Sequence, residues 1–451
     1  MSQLTLNPRA EVRLFESKVG SHLFLADGSR IFDVDRATSE ALAAQIEQGV
    51  IPEQLDELLG RTDQTRYISA KPIAPPKLTS ISLNVAQSCN MSCVYCYADE
   101  GRFGGRAKVM QNVVAQKAID RLLAEAPPES AVVVGFMGGE PFLNRKLIHE
   151  AVAYATQAAK RSKHRVRFSI TTNATLLRDE DVDLLKKHPF SVSVSLDGNQ
   201  NSNDAQRKMV RSRESAYDRA LAGLTKLTQN GRPRHVSARA TITPETGALL
   251  PLLEHLLSLD IDEAGFAPVV AAPPGQAAFD QSQMDGFLNH MVECGEVAKS
   301  KLLSRERFPF SNFETALHEI HRGTHRPYPC GAGAGYLSVN SEGDFYACHR
   351  LIDDEKFKFG NIETGSSIDR RAEHLAARHV DKQEPCRTCW ARYLCGGGCY
   401  HEVENRGRIG CNYIRNWLSF CLSSYAETRI SAPDYFTQPN HYFKSTRSDY
   451  E

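Results

Sequence analysis

Apolar and polar positions follow two rhythms along the chain. Between residues 12 and 34, short apolar runs within EVRLFE, SHLFLADG and RIFDVD are separated by turn residues. The Asp27–Gly28 pair between two such runs predicts a β-hairpin. Amphipathic patterns then predict helices near 37–48 and 52–60, broken at Ile51–Pro52, and the Pro-rich stretch 71–79 reads as a linker. From 80 to about 270 strand and helix patterns alternate. Strands are predicted at 80–86, 131–138, 166–173, 190–198, 235–243 and 263–270, with helices at 112–126, 144–161, 179–187, 214–230 and 246–258. Such alternation predicts an α/β fold of βα units on a parallel sheet, a partial (βα)6-type barrel with its site where strands end and βα loops begin. Two helices follow, at 281–303 and 312–322. The tail from 330 shows little periodicity until a helix near 410–428. The predicted organisation is thus 1–70, 80–270, 271–329 and 330–451.

Charge and composition narrow the function. The 451 residues carry 54 Lys plus Arg against 54 Asp plus Glu, which argues against a broad basic field for nucleic acid. The basic cluster Lys160–Arg167 falls at a predicted helix C-terminus, where cations are favoured. No run approaches the roughly 18 apolar residues of a membrane span, and the N-terminus lacks the apolar core of a secretory signal. A cytoplasmic location is therefore expected. Of twelve cysteines, only Cys294 lies outside 89–96 and 330–421. In a reducing compartment, clustered cysteines more often bind metal than form disulfides.

Cys89-Asn-Met-Ser-Cys93-Val-Tyr-Cys96 follows the first barrel strand. Three thiolates at this C-x3-C-x2-C spacing suit three irons of a [4Fe–4S] cube and leave the fourth iron open. A zinc site, the alternative, usually takes four ligands from paired C-x2-C units. Gly138-Gly139-Glu140-Pro141 ends the second strand, Thr171-Thr172-Asn173-Ala174 the third, and Ser193-Val194-Ser195-Leu196-Asp197-Gly198 the fourth. Together these segments resemble the radical S-adenosylmethionine (SAM) superfamily. The resemblance implies that SAM chelates the open iron and is cleaved to a 5′-deoxyadenosyl radical that abstracts hydrogen. It places Tyr95 near adenine, Gly138 and Gly139 close to the ligand, and Glu140 as an acceptor for SAM's ammonium. Asn173 and Ser195 become partners of SAM's polar groups, and Arg239, read as an interior arginine, a partner of its carboxylate. Asp197 is a candidate to contact substrate or accept a proton; an Asp–Gly turn without chemistry is the other reading. Arg207 and Arg211 read as solvated.

The second group runs Cys330, Gly343-x4-Cys348, Cys386-x2-Cys389-x5-Cys395-x3-Cys399, then Cys411 and Cys421. This pattern resembles the SPASM extension of radical SAM enzymes, which implies two auxiliary [4Fe–4S] clusters and three clusters in all. By motif order, Cys330, Cys348 and Cys399 hold one, and Cys386, Cys389, Cys395 and Cys411 the other, with Cys421 a core thiol or the rival last ligand. Some members carry a further Cys where this chain has Tyr336. That departure implies an iron free to bind a substrate thiolate.

Such enzymes mostly modify ribosomally made peptides. The run His22–Gly28, followed by Ile31–Asp35 and a helix, resembles the winged-helix-like leader-recognition module related to the pyrroloquinoline-quinone peptide chaperone. A sheet edge there would take an extended peptide as an added strand; the alternative is a domain that only packs on the barrel. The ending Cys411–Glu427 most resembles maturases of quinohemoprotein amine dehydrogenase. The implied reaction is intra-peptidyl Cys-to-Asp/Glu thioether formation in a precursor peptide or small protein subunit, with flavodoxin or ferredoxin as reductant. The rivals are carbon–carbon cyclophane formation, Ser or Cys oxidation as in sulfatase maturation, and a non-catalytic iron–sulfur scaffold or peptide chaperone.

Overall fold

Val, Ile and Phe crowd the predicted barrel strands, and a strand apolar on both faces is stable only when covered on both. The computed structural model, which describes residues 8–50, 55, 71–229, 231–272 and 278–437, meets that demand. Among the described residues, Ser80–Gln87, Ala131–Gly138, Arg165–Thr172, Phe190–Ser195, His235–Ile242 and Glu263–Pro268 pair in parallel, in sequence order. Helices Asn112–Glu125, Arg145–Arg161, Asp179–Lys187, Ala216–Thr228 and Leu249–Leu257 connect or follow them. Phe136, Phe168 and Phe190 stack across three neighbouring strands with ring centroids 5.1–6.3 Å apart. The α/β barrel expected from the sequence is present, and all its strand C-termini open at one mouth.

The cysteine-rich tail continues this sheet. Tyr336–Val339 pairs in parallel with the first barrel strand, Tyr336 opposite Ser80 and Val339 opposite Leu83. Asp344–Tyr346, Lys358–Asn361 and Gly365–Ser366 then add antiparallel. An otherwise unpaired edge is thereby covered. These strands, and the helix Ile368–Arg378, correct the expectation of an irregular tail up to residue 410. Strands of two to four residues are too short for alternation to reveal. The last long helix, Cys411–Ser431, packs Trp417 and Phe420 against Phe310 and Phe313, joining the helical region to the tail.

The N-terminal module is a three-stranded antiparallel sheet, Val12–Ser17, Gly20–Leu25 and Arg30–Val34, followed by helix Arg36–Glu47. Asp35 caps that helix, accepting from the Thr38 amide at 2.9 Å. The module has its own apolar cluster, Val12, Leu23, Leu25, Leu42 and Leu55. The helix predicted at 52–60 falls, apart from Leu55, outside the described residues. The strand Val12–Ser17 lies against the last long helix, whose Ser423 donates to the Glu16 carbonyl at 2.7 Å. The buried Arg392 holds both Glu11 oxygens at 2.8 Å. Arg30–Val34 is the outer strand of this sheet. No helix among the described residues is long and apolar enough to cross a membrane.

Candidate active site at the barrel mouth

The cysteine loop leaves the first strand and turns back on itself. Its segment Met91–Cys93 pairs antiparallel with Arg207–Met209, and Arg207 stands opposite Cys93. This pairing fixes the loop against the barrel and carries an arginine to the cysteines. The thiols of Cys89, Cys93 and Cys96 lie within one another's electrostatic reach. Burial pushes the Cys89 thiol up to about 12 and the Cys93 thiol up to about 11. Among the described residues, no three His, Cys, Asp or Glu side chains converge on a point as a single ion requires. A [4Fe–4S] cube takes each thiolate on a different iron, so a soft donor set around a volume suits it.

Beside the thiols lies a cavity of about 210 Å³, lined among others by Tyr95, Gly138, Gly139, Asn173 and Ser195. Gly139 has no room for a side chain, since a Cβ there would stand 2.2 Å from the Ser88 carbonyl oxygen. Glycine thus lets the second strand end directly against the residue before Cys89. Asn173 donates to Asn90 Oδ1 at 2.9 Å, tying the third strand to the same loop.

Three predicted residues are placed otherwise. Glu140 is fully buried behind the cavity wall; its carboxylate accepts from Thr172 Oγ1, the Phe142 amide and the Asn173 amide at 2.8–3.1 Å. Burial raises its carboxyl to about 7. It braces the GGEP turn and the third strand end, and does not line the cavity.

Asp197 is also 0% exposed, and is saturated. Oδ2 accepts from Tyr95 Oη at 2.5 Å and Arg207 Nε at 2.8 Å, and Oδ1 from Arg207 Nη2 at 3.1 Å and the Thr241 amide at 2.8 Å. Its four acceptor positions are thus taken by Tyr95, Arg207 and the Thr241 amide, where a candidate to contact substrate or accept a proton was expected. Arg239 shares a strand face with Thr241 but lies two residues further from the mouth. Its guanidinium pairs with Ser311 Oγ at 2.6 Å and Glu263 at 2.7 Å, and it does not line the cavity.

Three cavity residues escaped the sequence reading. Arg207, read as solvated, is buried, with its guanidinium 5.5 Å from the Tyr95 ring centroid. Arg350 lies 5.1 Å over the Tyr97 ring and pairs with Glu402 at 3.0 Å. Both come from the cysteine-rich tail, two and three residues beyond Cys348 and Cys399, so the motif spacing there was the available signal. Arg207 carried no local signal, because its partner strand lies more than a hundred residues away.

The tail cysteines form two neighbourhoods. Cys330, Cys348 and Cys399 are within mutual electrostatic reach. Cys386, Cys389, Cys395 and Cys411 are similarly grouped and line a second cavity of about 190 Å³. Gly396, Gly397 and Gly398 all have positive φ, 73°, 97° and 81°, which glycine alone adopts readily. A Cβ on Gly396 would meet the Tyr328 backbone at 2.4 Å, so this glycine run presses the loop before Cys399 onto the chain leading to Cys330. Cys421 is fully buried on the last long helix, and Cys294 is likewise a core thiol. The Tyr336 hydroxyl bonds Ser82 Oγ at 2.7 Å and His349 Nδ1 at 3.2 Å.

Comparison with known proteins bears on this arrangement. Residues 83–253 match the family model of the radical SAM superfamily. The chain is 25% identical to the serine-type anaerobic sulfatase-maturating enzyme of Klebsiella aerogenes, over 77% of this chain and 86% of that protein. It is 31% identical to the uncharacterized protein MJ0907 of Methanocaldococcus jannaschii, over 60% of this chain and 84% of that one. The solved structure of native anSMEcpe with bound AdoMet superposes with a TM-score of 0.66 at 17% identity, covering 77% of this chain and 98% of that one. Streptococcus suis SuiB bound to precursor peptide SuiA gives 0.53 at 15% identity, covering 89% and 98%. With its cysteine triad, GGEP turn and barrel all at one mouth, the chain belongs to the radical SAM superfamily of iron–sulfur enzymes.

Proposed function

We propose that the protein is a maturase that modifies a ribosomally made peptide or small protein subunit, forming intra-peptidyl Cys-to-Asp/Glu thioether cross-links. The relatives named as sulfatase-maturating enzymes and the likeness to a peptide-bound SuiB support a peptide substrate. Cys89, Cys93 and Cys96 would hold the SAM-binding cluster, and bound SAM supplies hydrogen-atom abstraction from an unactivated carbon. Tyr95, Gly138, Gly139, Asn173 and Ser195 would border SAM, with Arg207 steadied by Asp197.

The Cys330, Cys348 and Cys399 group and the Cys386, Cys389, Cys395 and Cys411 group would each hold an auxiliary [4Fe–4S] cluster. The observation that carries the thioether reading is the first group's three thiols, with the Tyr336 hydroxyl already engaged by Ser82 and His349. A three-thiol set leaves an iron for a substrate thiolate, which binding would deprotonate and position. The peptide would add to the outer strand Arg30–Val34, and a flavodoxin or ferredoxin would supply electrons.

A second reading, oxidation of a Ser or Cys side chain, is favoured by the names of the relatives. Co-expression with the short Cys-rich acidic polypeptide expected from a neighbouring gene separates the two. Thioether formation removes two hydrogens per link and makes the cysteine resist alkylation. Serine oxidation removes two hydrogens and leaves every cysteine open to alkylation, whereas cysteine oxidation followed by hydrolysis also exchanges sulfur for oxygen, a larger mass loss than two hydrogens. An unchanged mass defeats both.

A further inference from the structure

Carboxylates near the barrel mouth differ in what their oxygens have left to do; Glu100, on the cysteine loop, is held by Arg102 and does not line the mouth cavity. Asp197 accepts four hydrogen bonds and faces no open space. Glu140 accepts three behind the wall. Glu402 is unlike both. Among the described residues lining the mouth cavity it is the sole carboxylate, and it also lines the cavity of the Cys386 group. Arg350 Nη1 donates to its Oε1 at 3.0 Å, and no hydrogen bond falls on Oε2 among the described residues. The side chain is 25% exposed, and burial raises its carboxyl against the pull of Arg350.

Every reaction considered above removes two hydrogens from the substrate: one from carbon, one from the oxygen, sulfur or second carbon that gains the new bond. One leaves as a hydrogen atom to the adenosyl carbon of cleaved SAM. The other must leave as a proton, and the remaining electron passes to an iron–sulfur cluster. The proton needs an acceptor between the place where the C–H bond breaks and the tail cysteines.

We propose that Glu402 is this acceptor, a catalytic base whose free Oε2 takes the substrate's proton while Arg350 holds Oε1. The assignment rests on the peptide-maturase reading but holds for either of its chemistries. It places the base on the short helix Tyr400–Arg406, beyond the barrel and directly after Cys399.

The test uses full-length holoenzyme with the co-expressed acidic polypeptide as probe. It records modified polypeptide per 5′-deoxyadenosine formed, iron per chain, and polypeptide affinity by fluorescence anisotropy. Glu402→Gln should keep iron and affinity while the product ratio falls roughly 100-fold, the lower end for a lost general base. Arg350→Met, which keeps the carboxylate, should lower the ratio less than about tenfold, since it removes a neighbour of the base and not the base. A wild-type ratio in Glu402→Gln overturns the proposal. So does an equal loss in Arg350→Met, which would make Glu402 a mere anchor for Arg350. If Glu402→Gln fails to load iron, Glu402→Asp decides: a recovered ratio supports the base, and iron-loaded protein with no recovery rejects it. A wild-type enzyme that modifies no polypeptide defeats the functional reading itself, and this assignment with it.

Discussion

A buried arginine beside a metal-binding loop must be neutralised, and Asp197 does this for Arg207. Both side chains are nearly inaccessible, at 0% and 8% exposure. Removing one partner leaves the other charge uncompensated in a poorly solvated place. Asp197→Ala should therefore cost about 3–5 kcal/mol in chemical denaturation of the apoprotein. Asp197→Leu combined with Arg207→Met should cost less than the sum of the single changes. Gly139→Ala tests the turn from the other side. Its Cβ would collide with the Ser88 carbonyl at 2.2 Å, so the purified variant should retain less iron at the Cys89 loop while keeping the tail's iron.

At this scale the sequence was informative about place and poor about role. Strand-end position put Asn173 and Ser195 at the mouth, where both line the cavity. It could not show that the Asp197 and Glu140 oxygens were already engaged by donors from other strands, nor that Arg239 had Glu263 beside it.

Among elements, the outer strand of the N-terminal sheet is where, on the proposed function, the peptide would add. Successive backbone N–H groups of such a strand point alternately inward and outward. A proline scan across Ile31, Phe32 and Asp33 should therefore alternate. At outward positions peptide binding should weaken several-fold, as expected for about 0.5–1.5 kcal/mol per lost hydrogen bond, with melting little changed. At inward positions the module itself should lose stability. Uniform effects along the strand would rule out β-augmentation there.

Long elements were legible because their periodicity outlasts their ends. Helix Gln281–Leu303 and all six barrel strands lie within a few residues of where the pattern put them. The tail's hairpin was not, since it exists by pairing with a strand some 250 residues earlier, and a two-to-four-residue strand has no pattern of its own.

For the whole molecule, the barrel and the tail are one continuous sheet, and this joins the two cysteine regions at one mouth. The account predicts about twelve irons per chain, four for each of three clusters. Cys399→Ala should lose auxiliary iron. Cys421→Ala should keep all of it and cost only about 1 kcal/mol of stability for a small buried group. Iron loss in the Cys421 variant would make that thiol a ligand after all.

The central claim is that this mouth breaks a C–H bond of a bound polypeptide. The direct measurement is an anaerobic reaction of reconstituted enzyme with dithionite, SAM and the acidic partner polypeptide, counting 5′-deoxyadenosine and weighing the polypeptide together. The account predicts one 5′-deoxyadenosine for each pair of hydrogens lost, and none with Cys93→Ala. No 5′-deoxyadenosine from the wild-type enzyme, or a polypeptide of unchanged mass, would contradict it.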